Sequence, residues 1–288
     1  MEDEIRKLDK KDFPESFLEI PEPPKELFIK GILPSEDFIF LSVVGSRKYT
    51  SYGKDVCEKL ISGLRGYPIV IVSGLALGID TVAHKKALEI GLKTIAFPGS
   101  GLDKKVLYPA TNWRLALEIV ESGGCLISEF KPDFRATVWS FPQRNRLMAG
   151  ISKAVLIIEA EEKSGTLITA RLALDYNKDV FAVPGSIFSP NSKGTNKLLR
   201  QGATPITTSE ELLDALGFQV NNTENIQKEI EENCTDEEKE ILKLIQDSIS
   251  KDDLFRKLNK PTNETNAILS VMEIKGLIKE ELGEIRRC

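Results

Sequence analysis

The chain has 288 residues, 41% hydrophobic and 29% charged, the balance of an ordinary globular protein long enough for one large or two modest domains. Its longest apolar runs, such as Ala154 to Ile158, are strand-sized, far from the roughly 20 residues of a membrane helix. One histidine, His84, and four scattered cysteines, Cys57, Cys125, Cys234 and Cys288, exclude a recognisable zinc framework and leave little material for Ser-His-Asp or multi-histidine metal chemistry. The start, Met1-Glu2-Asp3-Glu4, is acidic and lacks the basic and apolar regions of a signal peptide, so a cytoplasmic protein is expected. The formal charge of −5 is unevenly spread. Residues 31–216 carry 22 basic and 19 acidic side chains, against 6 and 9 in residues 1–30 and 11 and 16 in residues 217–288. Such asymmetry fits surface scatter or a local footprint for an anionic partner.

Residues 1–37 are charged and proline-bearing, with Pro21-Glu22-Pro23-Pro24, and form a lead-in without a core of its own. From Phe38 the pattern is strand, turn, helix, repeated: strand Phe38 to Val44, helix Tyr52 to Leu64, strand Ile69 to Val72, helix Asp80 to Ile90, strand Thr94 to Phe97. A helix from Pro109 to Glu121 and a strand from Cys125 to Ile127 follow, then a loop, Phe130 to Phe141, holding Lys131, Phe134, Arg135 and Trp139. Next come helix Pro142 to Ile151, strand Ala154 to Ala160, helix Thr166 to Asn177 and strand Val180 to Val183. A short helix (Thr195 to Gln201), a strand (Ala203 to Ile206) and a helix (Ser209 to Leu216) complete the series. Strands alternating with helices at this spacing predict an α/β fold, an extended Rossmann-like doubly wound and mainly parallel sheet over residues 38–217. Residues 218–234 are polar and read as a linker. Residues 235–288 begin with a helix from Thr235, its N-cap, to about Ser248, continue through helices at Lys251 to Leu258 and Thr262 to Lys275, and end in a β segment, Leu277 to Ile285, the order of a winged-helix-like domain.

Several strands stop abruptly in small residues, which lets backbone N–H groups reach a phosphate. Gly45-Ser46-Arg47 ends the first strand, with Arg47 offering a planar fork. Read alone it fits either a ligand loop or a tight turn bearing a surface arginine. The dinucleotide pattern G-x-G-x-x-G fails, because Arg47 and Thr50 stand at its second and third glycine positions. Ser73-Gly74 repeats the arrangement one strand on. Asp80 there reads as a helix cap, with His84 as its partner one turn away. Arg144, Asn145 and Arg146, preceded by Phe134, Trp139 and Phe141, combine charge with aromatic faces, the ingredients of single-strand binding; a solvated helix face over buried aromatics is the alternative. Ser164-Gly165-Thr166 opens a helix and can hold an anion. Asp103, Glu159 and Asp175 have no spacing that pairs them as acid and base, so no catalytic residue, metal ligand or cofactor is nominated.

Taken in order, VGSRKYTSYG (Val44 to Gly53), IVSGLALGIDTVAHKKAL (Ile71 to Leu88), TIAFPGSGLDKKVLYPATN (Thr94 to Asn112), SEF (Ser128 to Phe130), FPQRNRLMAGIS (Phe141 to Ser152), VLIIEAEEKSGTLITARLAL (Val155 to Leu174) and VFAVPGS (Val180 to Ser186) resemble the DNA-processing protein A (DprA/Smf) family. The resemblance implies a non-enzymatic, homodimeric protein that binds single-stranded DNA and helps load the recombinase RecA onto it in natural transformation and recombination. The family's GSR motif maps onto Gly45, Ser46 and Arg47; with Ser73, Gly74, Phe141, Arg144, Asn145, Arg146, Ser164, Gly165 and Thr166 it makes the expected DNA or phosphate site. Longer family members begin with a helical domain where this sequence has about 30 residues of net negative charge.

An alternative is a nucleoside-monophosphate-processing enzyme of the lysine-decarboxylase-like Rossmann group, which carries P-G-G-x-G-T-x-x-E. Here Gly165-Thr166 survives, the P-G-G is missing and Thr169 stands where the catalytic Glu belongs. A third reading makes the acidic flanks dominant, with DNA binding weak or governed by the tail.

Overall fold

The computed structural model describes residues 4–219, 235–245, 248–258, 262–275, 277–281 and 284–287. The chain divides into two compact units, Met1–Gln219 and Val220–Cys288.

The first unit is built on one nine-stranded sheet. Its strands are β1 (Arg6–Lys7), β2 (Phe28–Gly31), β3 (Ile39–Val44), β4 (Ile69–Ser73), β5 (Thr94–Ala96), β6 (Cys125–Ser128), β7 (Ala154–Ile157), β8 (Asp179–Ala182) and β9 (Thr204–Pro205), in the spatial order β1-β2-β6-β5-β4-β3-β7-β8-β9. From β6 across to β9 every pairing is parallel, while β2 on β6 and β1 on β2 are antiparallel. The central strands are continuous apolar runs because both faces are covered. In β3, Phe40 and Val44 join the core under one helical layer, and between them Ser42 donates to the Met148 carbonyl at 3.1 Å.

On that face lie α1 (Glu15–Leu18), α5 (Ser140–Ile151) and α6 (Gly165–Asp175), with α5 beside both others. Elsewhere α2 (Ser51–Ser62) packs beside α3 (Ile79–Glu89) and α8 (Ser209–Ala215), α3 beside α4 (Trp113–Glu121), and α7 (Lys193–Arg200) against β8. The lead-in is part of this unit. Phe17 and Leu27 are fully buried, and Phe17 meets Phe97 edge to face at 6.2 Å. Burial of each such side chain contributes roughly 1.5–3 kcal/mol, so the segment's few apolar residues anchor it despite its charge.

Chain direction across the sheet reverses at β3. The chain runs from β3 through β4 and β5 to β6 on one side, then returns to place β7, β8 and β9 on the other. In an open parallel sheet, the carboxyl ends of the two strands flanking such a reversal frame a crevice. Here those strands are β3 and β7.

The second unit holds helices over Asp236–Leu244, Lys251–Leu258 and Thr262–Ile274 and a three-stranded antiparallel sheet in the order β10 (Ser248–Ser250), β12 (Glu284–Arg287), β11 (Ile278–Glu281). Its small core joins Ile241, Ile245, Leu254, Met272, Ile278 and Ile285. Thr235 and Glu238 close a capping box on the first helix. The expected terminal β segment is two antiparallel strands, and the first helix stops at Leu244, short of the expected Ser248, which instead begins a strand paired with β12. Most of the expected linker, residues 220–234, lies outside the described residues, as do Cys234 and Cys288.

Candidate nucleic-acid interface

The loop after β3 is fastened on three sides. The Ser46 carbonyl accepts from Ile79 N–H at 3.1 Å, the Gly45 carbonyl accepts from Thr166 Oγ1 at 3.1 Å, and the Lys48 carbonyl accepts from Asn191 Nδ2 at 2.7 Å. Thr50 caps α2 by accepting from Gly53 N–H at 3.1 Å, and Thr50 itself donates to the buried Glu159 carboxylate. Glu159 is therefore an anchor. With its backbone so fixed, the loop presents exposed Arg47 and Lys48 side chains to solvent.

These residues rim a crevice of about 590 Å³ at the switch point. Gly45, Ser46, Arg47 and Lys48 form one wall, and Lys163, Ser164, Gly165 and Thr166, at the start of α6, form the opposite one. Ser164 caps α6, its hydroxyl accepting from Thr166 N–H at 3.2 Å. The positive end of an 11-residue helix thus faces the space. Phe141, Arg144 and Asn145 of α5 close the crevice. The Arg47 guanidinium lies 5.0 Å from the centroid of the Phe141 ring, which in turn meets Tyr108 at 5.7 Å. Cation and ring together make a platform suited to a phosphate and a base.

Behind it is a buried charged layer. Arg144 is 4% exposed and donates to the Phe97 carbonyl. Burial pushes its guanidinium down to about 10, Asp80 opposes the shift and Arg47 adds to it, so it remains a cation at neutral pH. Gly74 makes room for it: a Cβ there would stand 2.2 Å from Arg144 Nη1. Asp80 accepts from Gly74 N–H at 3.1 Å and Ala76 N–H at 3.4 Å. Burial raises its carboxyl, against the pull of Arg144.

Two expectations are corrected here. Asp80 does not cap α3, whose N-cap position is Gly78; it holds the preceding turn instead. Nor does it pair with His84. Thr94 Oγ1 donates to the Ile71 carbonyl at 2.7 Å, so at 2.7 Å from His84 Nδ1 it must accept, which places the imidazole proton on Nδ1. Burial drives His84 down to about 3, and it stays neutral.

The structure also separates residues that the sequence grouped. Arg144 and Arg146 are two apart on a helix and so point to opposite sides. Arg146 does not line the crevice. It pairs with Glu129 and donates to the Glu22 carbonyl at 2.6 Å, beside a second cavity of about 570 Å³ under the lead-in. Ser73 and Gly74 sit beneath the crevice, with Ser73 Oγ donating to the Val43 carbonyl at 2.7 Å. Phe134 and Trp139 pack on Phe130 and each other, apart from Phe141. Lys48, Lys163 and Tyr108 were not singled out. The first two lie in the loops after β3 and β7, which only the spatial order of the strands brings together.

The family described as DNA recombination-mediator protein A matches residues 4–217. The chain belongs to that family. It is 43% identical over 210 residues to Protein Smf of Escherichia coli, covering 72% of this chain and 54% of the relative, so it spans about half of that protein's length. It is 42% identical over 206 residues to DNA processing protein DprA of Streptococcus pneumoniae, covering 72% of each. The crystal structure of DprA from that genus and species superposes with a TM-score of 0.68 at 39% identity over 75% of both chains. DNA processing protein A of Helicobacter pylori, solved for its single-stranded DNA binding mode, superposes with a TM-score of 0.65 at 33% identity over 74% of this chain and 95% of the other. No helix among the described residues is long and apolar enough to cross a membrane.

Proposed function

We propose that this chain binds single-stranded DNA in the β3/β7 crevice and acts as a recombination mediator, passing the strand to a RecA-type recombinase as a homodimer in the cytoplasm, without catalysing a reaction. The observation that carries the reading is the exposed Arg47 guanidinium held over Phe141 at the mouth of a crevice backed by Arg144 and the α6 N-terminus. Phosphate contacts come from Arg47, Lys48, Lys163 and backbone N–H groups of Gly45-Ser46 and Gly165-Thr166; base stacking comes from the Phe141 ring. Three ionisable groups around the crevice are committed to structure: Glu159 to Thr50, Asp80 to the turn after β4, His84 to Thr94. That the Helicobacter pylori relative is described as binding single-stranded DNA supports the choice of ligand.

The test is anisotropy of labelled single- and double-stranded oligonucleotides with wild type, Arg47→Ala and Lys163→Ala. Preference for single strands and a several-fold loss in each variant is expected. Equal binding by all three proteins would overturn the crevice assignment, and release of free base from a nucleoside monophosphate would overturn the non-catalytic one.

A further inference from the structure

One exposed feature of the first unit is unused by the crevice. After β8 the chain turns through Ser186-Ile187-Phe188-Ser189, where Ile187 is 78% and Phe188 90% exposed. The tip is held in shape: Ser189 N–H donates to the Ser186 carbonyl at 3.0 Å and Phe188 N–H to Ser186 Oγ at 3.3 Å. Its base is pinned as well. Gly185 and Asn196 exchange hydrogen bonds of 3.3 and 3.0 Å, and Tyr52 Oη donates to the Pro184 carbonyl at 2.6 Å. A rigid turn that displays two large apolar side chains forgoes burial worth roughly 1.5–3 kcal/mol for each.

The same segment is tied to the crevice. Asn191 holds the Lys48 carbonyl, and Lys48 lines the crevice wall. Half-exposed Tyr49 and Tyr52 follow Lys48 in the loop and on α2, and Tyr52 reaches the turn itself. Lys48, through Asn191, and Tyr52, through Pro184, are thus both tied to the segment that carries Phe188, on the β8 side of the crevice.

We propose that Phe188 is a second base-stacking post, taking a nucleobase of the strand after it leaves the crevice past Lys48; this rests on the single-strand reading of the crevice. Two side chains flanked by Ser186, Ser189, Pro190 and Asn191 match one base face. They fall well short of the roughly 800 Å² that each partner contributes to a standard protein interface. Aromatic stacking is indifferent to sequence, as a general strand binder requires.

The experiment compares full-length wild type, Phe188→Ala, Phe188→Trp and Arg47→Ala on oligothymidylates of increasing length across a salt series, with sedimentation of each protein alone. Phe188→Ala should bind the longest oligonucleotides about 5- to 100-fold more weakly. It should leave the salt slope unchanged, because no phosphate contact is lost, and Phe188→Trp should restore affinity. Oligonucleotides too short to reach beyond the crevice should bind wild type and Phe188→Ala equally. Equal affinity for the longest strands, an equal loss at every length, or a changed oligomeric state in Phe188→Ala would each overturn the proposal; the last would assign the turn to a second copy of the chain. If wild type itself ignores single strands, the crevice reading fails. If Arg47→Ala loses binding while Phe188→Ala does not, only the stacking post fails.

Discussion

Arg146 supplies the sharpest test of how the buried charges divide between stability and binding. Its side chain and that of Glu129 are 9% and 8% exposed, and Arg146 also satisfies the Glu22 carbonyl. An exposed ion pair contributes about 0–1 kcal/mol, whereas removing one partner of a buried pair costs about 3–5 kcal/mol because the other charge is stranded. Arg146→Met should therefore destabilise the first unit by about 3–5 kcal/mol while leaving the DNA affinity of the folded protein within a factor of two or so of wild type. Removing the guanidinium also sets a pH dependence. Burial already raises the Glu129 carboxyl, and Arg146 is the main opposing influence, so the variant's carboxyl rises further. A carboxyl with a raised folded-state value binds its proton more tightly folded than unfolded. Glu129's contribution to the variant's stability is therefore fully present below the ordinary carboxylate range and is lost as pH rises through the raised value, so the variant's deficit relative to wild type should widen with pH. Urea unfolding from pH 4 to 8, followed by oligonucleotide titration at the pH of greatest stability, measures both. A loss under 1 kcal/mol, or a large fall in affinity with stability intact, would refute the separation of Arg146 from the crevice.

Other outcomes follow from single contacts. Gly74→Ala places a Cβ against Arg144 and should cost about 1–3 kcal/mol while weakening DNA binding, measured by denaturation and anisotropy on the same preparation. His84, held at about 3 against an unfolded value of 6.5, binds its proton less readily in the folded state, so its share of stability is present above 6.5 and is lost as pH falls. At 1.36 kcal/mol per unit this amounts to about 2 kcal/mol by pH 5, and His84→Gln should show a flatter acid limb than wild type. The Cys57 and Cys125 thiols are buried and pushed upward by desolvation, so mass mapping after native alkylation should find both unmodified until denaturant is added.

The parallel sheet was legible because β3, β4 and β7 are apolar runs, each followed by a helix, and β3 and β4 end in small residues. The antiparallel edge was not, since β1 and β2 contain Arg6, Lys7 and Lys30, and nothing local marks a two-residue strand whose partner lies elsewhere in the chain. Gly45-Ser46-Arg47 and Ser164-Gly165-Thr166 could each be picked out as anion loops, but only the order β3-β7 makes them opposite walls of one crevice. The Arg144-Arg146 pair illustrates the limit in the other direction. A two-residue spacing on a helix already implied that both could not face one ligand, yet their destinations depended on Phe97, Glu22 and Glu129, all distant in sequence. His84 likewise found Thr94 across a helix–strand contact that a one-turn pairing with Asp80 concealed.

The central claim is that Arg47 grips a phosphate of single-stranded DNA over Phe141. Affinity of wild type and Arg47→Ala for one single-stranded oligonucleotide across a salt series tests it directly. For single strands the logarithm of affinity falls with the logarithm of salt at about 0.7 per phosphate neutralised. The variant should bind several-fold more weakly at low salt, with a slope shallower by about 0.7. Superimposable lines for the two proteins would contradict it.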